Sequence, residues 1–429
     1  MDSSLLREVV KRISPTAVEL KEERRFAADV VRRVQKNAPR RCRVVLTGSV
    51  AKGTFLRDAK DVDVFVLFPK TQPKDMLEAA IERIVKKSFP GVGYRLSYAE
   101  HPYARFHFQG RRIDLVPAYS IKNAQERVSA VDRSVLHTAF VLSKLKKGQV
   151  SDVLLLKAFL KSNSLYGAEI KIRGFSGYLC ELLILKYGSF QMLARQALKW
   201  KKPVFIDIKG YYSKKEMPEA VDCFGDFVVI DPTDKNRNVA AAVSLENLAK
   251  FIRLCRRFIA KPKPEFFLKE PESFRNRVLK SSRGFKLFTI TMPRPDVVDD
   301  VLWGQLHKMV NQLQVHLSDF SPKAILADDS SNEITLAIIL EKDQLGNKEL
   351  LPGPPIEMRS HVIAFRKKHK AAKFIVKGKR IFAIVTRRST TLEDAIKGFF
   401  RNFRSSGSHL ACNEGKIKIT KGLPASEIR

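Results

Sequence analysis

The sequence predicts an α+β fold of several domains: an N-terminal mixed sheet with helices, a mainly helical central domain, and an α+β C-terminal body with a tail. Short apolar runs typical of strands recur between residues 43 and 116. Apolar residues recur at helical spacing from 129 to 198, and strands alternate with helices beyond residue 285. A chain of 429 residues can bury more than one core. We therefore expect domains at 1–140, 141–260 and 261–429.

The chain begins with a helical stretch, a short strand and a glycine turn. Apolar residues recur at helical spacing over 3–36, and the run 43–46 predicts a strand. Gly48 and Ser49 follow as a turn at which a helix opens. Because a helix N-terminus exposes backbone N–H groups, this turn suits a phosphate. Ser49 and Lys52 add a hydroxyl and a cation to that candidate phosphate site.

Three aspartates on predicted strands form a candidate metal site. Successive side chains of a strand alternate faces, so the strand 61–68 places Asp61 and Asp63 on one face. Two like charges there repel each other, unless they are solvated or a divalent cation lies between them. Asp114 lies among apolar residues of another predicted strand, where an unpaired carboxylate is costly to bury, so it is a candidate for the third ligand of this site. The alternative is that Asp114 lies on the exposed face of its strand. The other elements expected here are a helix at 74–87 and strands at 94–98, 105–109 and 112–116.

The central and C-terminal parts follow with further predicted elements. A Gly-rich, basic connector at 166–178 separates two apolar helices, as is typical of binding surfaces. A Pro/Lys-rich break at 260–265 predicts a linker. The expected helices are 152–161, 178–187, 244–259 with Ser244 as N-cap, 299–317 and 392–403. The expected strands are 204–208, 227–230, 285–291 and 333–340, with a loop at 352–355 and a hairpin at 373–385 around Gly378.

The charge of the chain points to a polyanionic partner. The net charge is +34, which favours nucleic acid, although a generally basic proteome would also produce it. Between Arg359 and Arg388 there are eleven Lys or Arg and no Asp or Glu. The five cysteines are widely spaced without a CxxC, which disfavours a disulfide framework or a zinc site. The sequence shows no signal-peptide pattern and no apolar run approaching the roughly 20 residues of a membrane span, so we expect a cytoplasmic protein.

Three carboxylates beside a phosphate-binding turn are typical of nucleotidyl transfer. Two Mg²⁺ ions about 4 Å apart can lower the pKa of an attacking hydroxyl and neutralise charge on a pyrophosphate leaving group. Competing nucleotide and zinc motifs, such as GxGxxG, GxxxxGK[ST] and HExxH, are not found in the sequence. We therefore expect Asp61, Asp63 and Asp114 to bind two Mg²⁺ ions.

Several motifs resemble those of one family. Gly48-Ser49 followed by Asp61-Val-Asp63 resembles the signature of the polymerase β-like nucleotidyltransferase superfamily. The more specific motifs are Ala99–Tyr103, Ser129–Arg133, Leu155–Lys161, Tyr166–Glu169, Arg173–Leu183, Asp231–Asp234 and Arg237–Ala241. In this order they resemble the archaeal, class I CCA-adding enzymes, which are tRNA nucleotidyltransferases. The resemblance covers roughly 40–260, extends to 295–300, and is slight beyond about 320.

The resemblance implies an enzyme that adds C, C and A to the 3′ end of tRNA from CTP and ATP without a template. Asp61, Asp63 and Asp114 would be the metal ligands, with Asp61 in place of a frequent glutamate, and Asp114 would also help activate the tRNA 3′-hydroxyl. The nucleotide-binding positions implied are Gly48, Ser49, Lys52, Ser134, His137, Lys157, Tyr166 and Arg237. Arg237 matches an arginine that reads base edges, which suits its rigid fork of donors. His101 lies in a family motif with a less definite role, and a homodimer is possible.

Other functions stay open on the sequence. A poly(A) polymerase or an oligoadenylate synthase would share the metal site and the triphosphate pocket. An enzyme that adds only CC or only A fits the same residues. A catalytically inactive RNA-binding protein is a further alternative, which the presence of all three carboxylates disfavours.

Overall fold

The computed structural model describes residues 3–59, 61–98, 102–403, 409–410 and 416–423. The chain forms two compact units, Met1–Pro271 and Glu272–Arg429. Both combine helices and sheets, so the α+β class predicted from the sequence is confirmed. In the described parts of the chain, no helix has the length and apolar character needed to span a membrane.

The N-terminal half of the first unit is a five-stranded mixed sheet with helices. Its elements are α1 (Ser3–Ile13), α2 (Ala17–Asn37), β1 (Arg43–Thr47), α3 (Gly48–Lys52), β2 (Asp61–Phe68), α4 (Met76–Ser88), β3 (Tyr94–Tyr98), β4 (Pro102–Phe108) and β5 (Arg111–Tyr119). The strand order is β1-β2-β5-β4-β3, and only the β2–β5 pair is parallel. The apolar side chains of β2 and β5, with those of α2 and α4, form one core.

The helical stretch expected over 3–36 is present and is divided into two helices. The chain breaks at Ser14-Pro15, and α2 starts anew after Thr16. Thr16 Oγ1 accepts from the backbone N–H of Glu19, and the Glu19 carboxylate accepts from the backbone N–H of Thr16. This reciprocal capping box satisfies two backbone donors and fixes the start of α2.

The rest of the first unit is mainly helical. Its elements are α5 (Arg133–Lys144), α6 (Lys147–Ser162), α7 (Gly177–Tyr187), α8 (Phe190–Ala197), β6 (Val204–Ile206), α9 (Met217–Phe224), β7 (Phe227–Asp231), β8 (Asp234–Asn238), α10 (Leu245–Ala260) and α11 (Glu265–Leu268). Ser244 caps α10 as predicted, accepting from the backbone N–H of Asn247. The expected linker 260–265 lies inside this unit, because Phe267 on α11 is buried against the aromatic core.

The second unit contains two antiparallel sheets with helices. Its elements are α12 (Phe274–Ser281), β9 (Lys286–Pro293), α13 (Asp299–His316), β10 (Pro322–Asp329), β11 (Glu333–Leu340), β12 (Lys348–Pro355), α14 (Arg359–Lys368), β13 (Lys373–Lys377), β14 (Arg380–Thr386), α15 (Leu392–Asn402) and β15 (Lys418–Lys421). The strand orders are β10-β11-β9-β15 and β12-β14-β13. The predicted hairpin around Gly378 is present as β13–β14.

The loop predicted at 352–355 is wrong, because these residues end strand β12. Proline cannot donate to a ladder, so it is confined to edge strands and bulges. β12 is an edge strand, and its pairing with β14 shifts register between Pro352 and Pro355. The prolines are therefore accommodated without breaking the sheet. Strand β10 and helix α14 were not predicted from the sequence at all.

Candidate active site

The three predicted aspartates come from the two parallel strands of the first sheet. The β2–β5 register places Asp63 directly opposite Asp114, and Asp61 lies two residues before Asp63 on the same strand face. Burial, and then the negative charges of Asp114 and Asp61, raise the pKa of Asp63 to about 6. Mutually repelling carboxylates of this kind fit a site for divalent cations, which prefer oxygen ligands.

Gly48 lies directly against the Asp63 carboxylate. A Cβ built on Gly48 would lie 1.9 Å from Asp63 Oδ2, and its φ of +69° belongs to the left-handed region that favours glycine. Only glycine therefore allows β1 to turn into α3 at this distance from β2. Ser49 and Lys52 follow on α3, so the predicted phosphate turn lies beside the central aspartate.

Asp114 and Asp61 each pair with an arginine that was not predicted from the sequence. Arg105 Nε and Nη2 each donate to the Asp114 carboxylate at 2.7 Å, and Arg112 Nη2 donates to Asp61 Oδ2 at 2.5 Å. The structure thus pairs Asp61 and Asp114 with arginines. Among the described residues, no group of three or more His, Cys, Asp or Glu side chains is arranged as a ready metal site.

The turn between β4 and β5 determines that Arg105 faces Asp114. Gln109 and Gly110 both have positive φ, which is typical of a tight hairpin turn between β4 and β5. A hairpin centred there pairs residue 105 with residue 114, as the observed register does. Gly110 marks a turn in the sequence, but the residue on which the turn is centred, and therefore the contact between these facing opposite charges, is known only from the structure.

Two lysines predicted to bind the triphosphate share a buried glutamate. Lys52 Nζ lies 2.6 Å from Glu181 Oε2, and Lys157 Nζ donates to the Thr54 carbonyl at 2.7 Å. Burial lowers the pKa of Lys157, and the charge of Glu181 opposes that effect. The Tyr166 hydroxyl is close by, and burial raises its pKa well above the ordinary value. Glu181 lies within a quoted motif, although the sequence analysis did not single it out.

A second cluster gathers around Asp231. His137 Nε2 lies 2.8 Å from Asp231 Oδ2, Arg237 Nη1 donates to the same oxygen at 2.9 Å, and Tyr178 donates to Oδ1 at 3.1 Å. Burial would raise the pKa of Asp231, but the contacts with His137 and Arg237 hold it well below its usual range. The His137 ring stacks on Tyr178 with centroids 4.1 Å apart, and burial lowers the pKa of His137. Sequence reasoning missed Asp231 as the common partner.

The remaining predicted positions join these clusters or fall outside the described residues. Arg237 lines an open cavity of about 520 Å³, together with Ser176, Cys223 and Asn236. Ser134 lies on the first turn of α5, one turn before His137. The structure thus groups His137 with Arg237 through Asp231, and separately groups Lys52 with Lys157 and Tyr166. His101 lies outside the residues that the structure describes.

Three families match successive parts of the chain. Residues 27–137 match a nucleotidyltransferase domain, 151–268 match the second domain of tRNA nucleotidyltransferase, and 283–422 match the C-terminal domain of CCA-adding enzymes. The CCA-adding enzyme of Methanothermobacter thermautotrophicus is 38% identical over 76% of this chain and 72% of its own length. That of Methanocaldococcus jannaschii is 33% identical over 92% of this chain and 89% of its own length. The chain belongs to the CCA-adding enzymes. This family consists of tRNA nucleotidyltransferases, so the enzyme class predicted from the motifs is confirmed.

A solved structure shares the fold of a large part of this chain. A poly(U) polymerase with Mg-GTP bound superposes with a TM-score of 0.50 at 15% identity, covering 63% of this chain and 98% of the other. At that identity the likeness establishes the fold alone. The choice of nucleotide must therefore be argued from the relatives and from the residues of this chain.

Proposed function

We propose that this chain adds C, C and A to the 3′ end of tRNA from CTP and ATP, with release of pyrophosphate. Its membership of the CCA-adding family supports the reaction, and the register that faces Asp63 with Asp114 supports the place where it occurs. We infer that Asp61, Asp63 and Asp114 hold two Mg²⁺ ions. When bound, these ions supply the positive charge that activates a hydroxyl and stabilises pyrophosphate.

The residues around the aspartates have separate roles in this proposal. Asp63 must be ionised to bind a divalent cation, and the positive charge of a bound cation would favour that ionised form. Arg105 donates to both oxygens of Asp114, and Arg112 donates to Oδ2 of Asp61, so each arginine must move away from any of these oxygens that binds a metal ion. Asp114 then lies where it can accept the proton of the tRNA 3′-hydroxyl. Holding the tRNA 3′-hydroxyl and the nucleotide side by side supplies much of the rate enhancement, because the entropy cost of bringing the two reactants together is met on binding.

The two side-chain clusters bind opposite ends of the nucleotide. We assign the triphosphate to Gly48, Ser49, Lys52, Lys157 and Tyr166, whose cations and hydroxyls suit phosphate oxygens. We assign the base to Arg237, with Ser134 and His137 beside it. Asp231 holds His137 and Arg237 in fixed orientation, so the Arg237 fork presents its donors in a defined plane.

The macromolecular partner in this proposal is tRNA. A tRNA acceptor stem is a double helix that proteins recognise by shape and phosphate contacts, which suits the basic stretch between Arg359 and Arg388. Binding should therefore weaken with salt. The three domains expected at 1–140, 141–260 and 261–429, with the last boundary moved to the end of the first unit at Pro271, a homodimer and a cytoplasmic location also remain part of the proposal.

The test is nucleotide addition to tRNA that lacks its 3′ CCA. CTP, ATP, UTP and GTP are supplied singly and together with Mg²⁺, and the products are sequenced at the 3′ end. We expect two C residues and then one A, with nothing further. Addition of UMP or GMP, or continued addition of A, would contradict the proposal, and a product ending in CC or only a terminal A would restrict it.

A further inference from the structure

A single buried carboxylate joins both lysines assigned to the triphosphate. Glu181 Oε2 lies 2.6 Å from Lys52 Nζ, and Glu181 Oε1 accepts from Thr54 Oγ1 at 2.6 Å and lies 3.8 Å from Lys157 Nζ. The Glu181 side chain is 0% exposed, and those of Lys52 and Lys157 are 8% and 3% exposed. The three charged residues lie on α7, α3 and α6, so the carboxylate holds together parts of the chain that are distant in sequence.

The charges of this cluster do not cancel. Two ammonium groups face one carboxylate, and the charge of Lys52 acts on Lys157 as a repulsion. Without Glu181, two like charges would be left buried next to each other, and buried charges that lack a partner are strongly unfavourable. The excess positive charge suits an incoming polyanion, provided that both ammonium groups are held in place.

Further contacts fix the position of Lys157. Its Nζ donates to the backbone carbonyl of Thr54, whose hydroxyl in turn donates to Glu181. A Cβ on Gly177 would lie 3.1 Å from the Tyr166 hydroxyl and 3.5 Å from Lys157 Nζ, so both groups reach the first residue of α7. The network therefore ties Lys52 and Lys157 to one geometry at the second turn of α7, and the Tyr166 hydroxyl lies near the start of that helix.

We propose that Glu181 is a positioning residue for the nucleotide triphosphate, which fixes the spacing of the Lys52 and Lys157 ammonium groups. This inference rests on the proposed function, in which those lysines bind the triphosphate. Glu181 acts through the lysines. Because the triphosphate is common to CTP and ATP, the effect is the same for both nucleotides.

Whether removal of the Glu181 charge weakens or strengthens nucleotide binding distinguishes a positioning role from a simple electrostatic effect. A carboxylate near a triphosphate site repels the ligand, so simple charge counting predicts that its removal improves nucleotide binding. Positioning predicts the reverse, because pre-organised cations bind at lower entropic cost than cations that must first be ordered. The variant Glu181→Gln keeps the shape and removes the charge.

The experiment measures KM and kcat for CTP on tRNA lacking CCA, and for ATP on tRNA lacking only the terminal A. For Glu181→Gln we expect KM to rise about 10- to 100-fold for both nucleotides, the range for a broken hydrogen bond to a charged group, with a smaller change in kcat. Glu181→Asp keeps the charge on a shorter stem, so its KM should fall between those of wild type and Glu181→Gln. An unchanged or lower KM in Glu181→Gln, or a rise for one nucleotide only, would overturn the inference.

The matched control is Asp152→Asn in the same helical core. Asp152 Oδ1 accepts from the backbone N–H of Phe190, and asparagine keeps that acceptor while removing one partly buried negative charge. The KM values of Asp152→Asn should stay at the wild-type level, and a rise in KM equal to that of Glu181→Gln would show that the Glu181 effect is not specific.

If Glu181→Gln does not fold, Thr54→Val removes one hydrogen bond to Glu181 and should raise both KM values by a smaller factor. Wild-type enzyme that fails to add CCA would refute the proposed function, whereas active wild type with unaffected variants refutes this inference alone.

Discussion

The residue with the most informative chemistry is Asp63. Alternation of strand faces is enough to predict that Asp61 and Asp63 share a face, and the apolar setting of Asp114 singles out the third aspartate. The shift in the pKa of Asp63 depends on distances across β2 and β5, which a sequence pattern does not contain. The same holds for Arg112, which contacts Asp61 only because the strands are parallel in this register.

The raised pKa of Asp63 makes the metal-free protein less stable as the pH rises. The protonated carboxyl is favoured in the fold, so its contribution is fully present below the ordinary pKa of 3.8 and is lost as the pH rises through about 6. Asp63→Asn should therefore stabilise the metal-free protein at pH 7.5, by at most about 3 kcal/mol, with no difference at pH 3.5. Urea unfolding in EDTA at both pH values measures this, and a variant less stable than wild type at pH 7.5 would contradict it.

Gly48 is the residue whose replacement should most directly displace Asp63. Gly48→Ala places a methyl group 1.9 Å from Asp63 Oδ2, so the carboxylate must move and activity should fall about 100-fold or more. Gly53→Ala is the matched control, because Gly53 has the same φ of +69° and its Cβ would meet only Arg24 at 3.6 Å. That control should lose about 1–2 kcal/mol of stability and keep its activity. Equal activity losses in both variants would mean that backbone strain, and not contact with Asp63, is responsible.

At the scale of elements, helix α7 links the two candidate clusters. Tyr178 donates to Asp231 and Glu181 binds Lys52, and residues three apart lie on the same side of a helix. Its apolar residues predict the helix well, but neither polar contact follows from periodicity. The division of the helical stretch 3–36 into two helices depends on a capping box, and the strand in place of the loop predicted at 352–355 depends on an edge position. Both are features of the context and not of local propensity.

Helix α11 should be part of the first unit and not of a linker. Phe267 is 3% exposed, and its ring lies within 5.3–5.6 Å of those of Phe159, Phe190 and Phe258. Phe267→Ala should destabilise the first unit by about 3–5 kcal/mol, as expected for an aromatic ring removed from a packed core. Met192→Ala, at a 43% exposed position on α8, should change stability by less than about 0.5 kcal/mol. A similar small change in both variants, measured by denaturant unfolding, would place Phe267 outside the core.

At the scale of the whole molecule, composition and motifs contribute different information. The net charge of +34 indicates a polyanion but cannot tell tRNA from other nucleic acids. The ordered motifs between residues 40 and 260 resemble one family, and relatives that cover most of the chain establish that family. The region beyond residue 320 carried little resemblance, so strand β10 and helix α14 were missed there. Fold class and enzyme class were therefore predictable, whereas the arginine, glutamate and aspartate partners of the site needed coordinates.

The most direct test of the account compares the full chain with Asp63→Ala on tRNA lacking CCA, with CTP, ATP and Mg²⁺ present. Wild type should convert the tRNA to products ending in CCA, because all three carboxylates are available for the metal ions. Asp63→Ala should add nucleotides at least about 1,000-fold more slowly while tRNA binding stays within about twofold, because phosphate contacts elsewhere set that affinity. Nucleotide addition by Asp63→Ala at the wild-type rate would contradict the central claim that these aspartates form the active site.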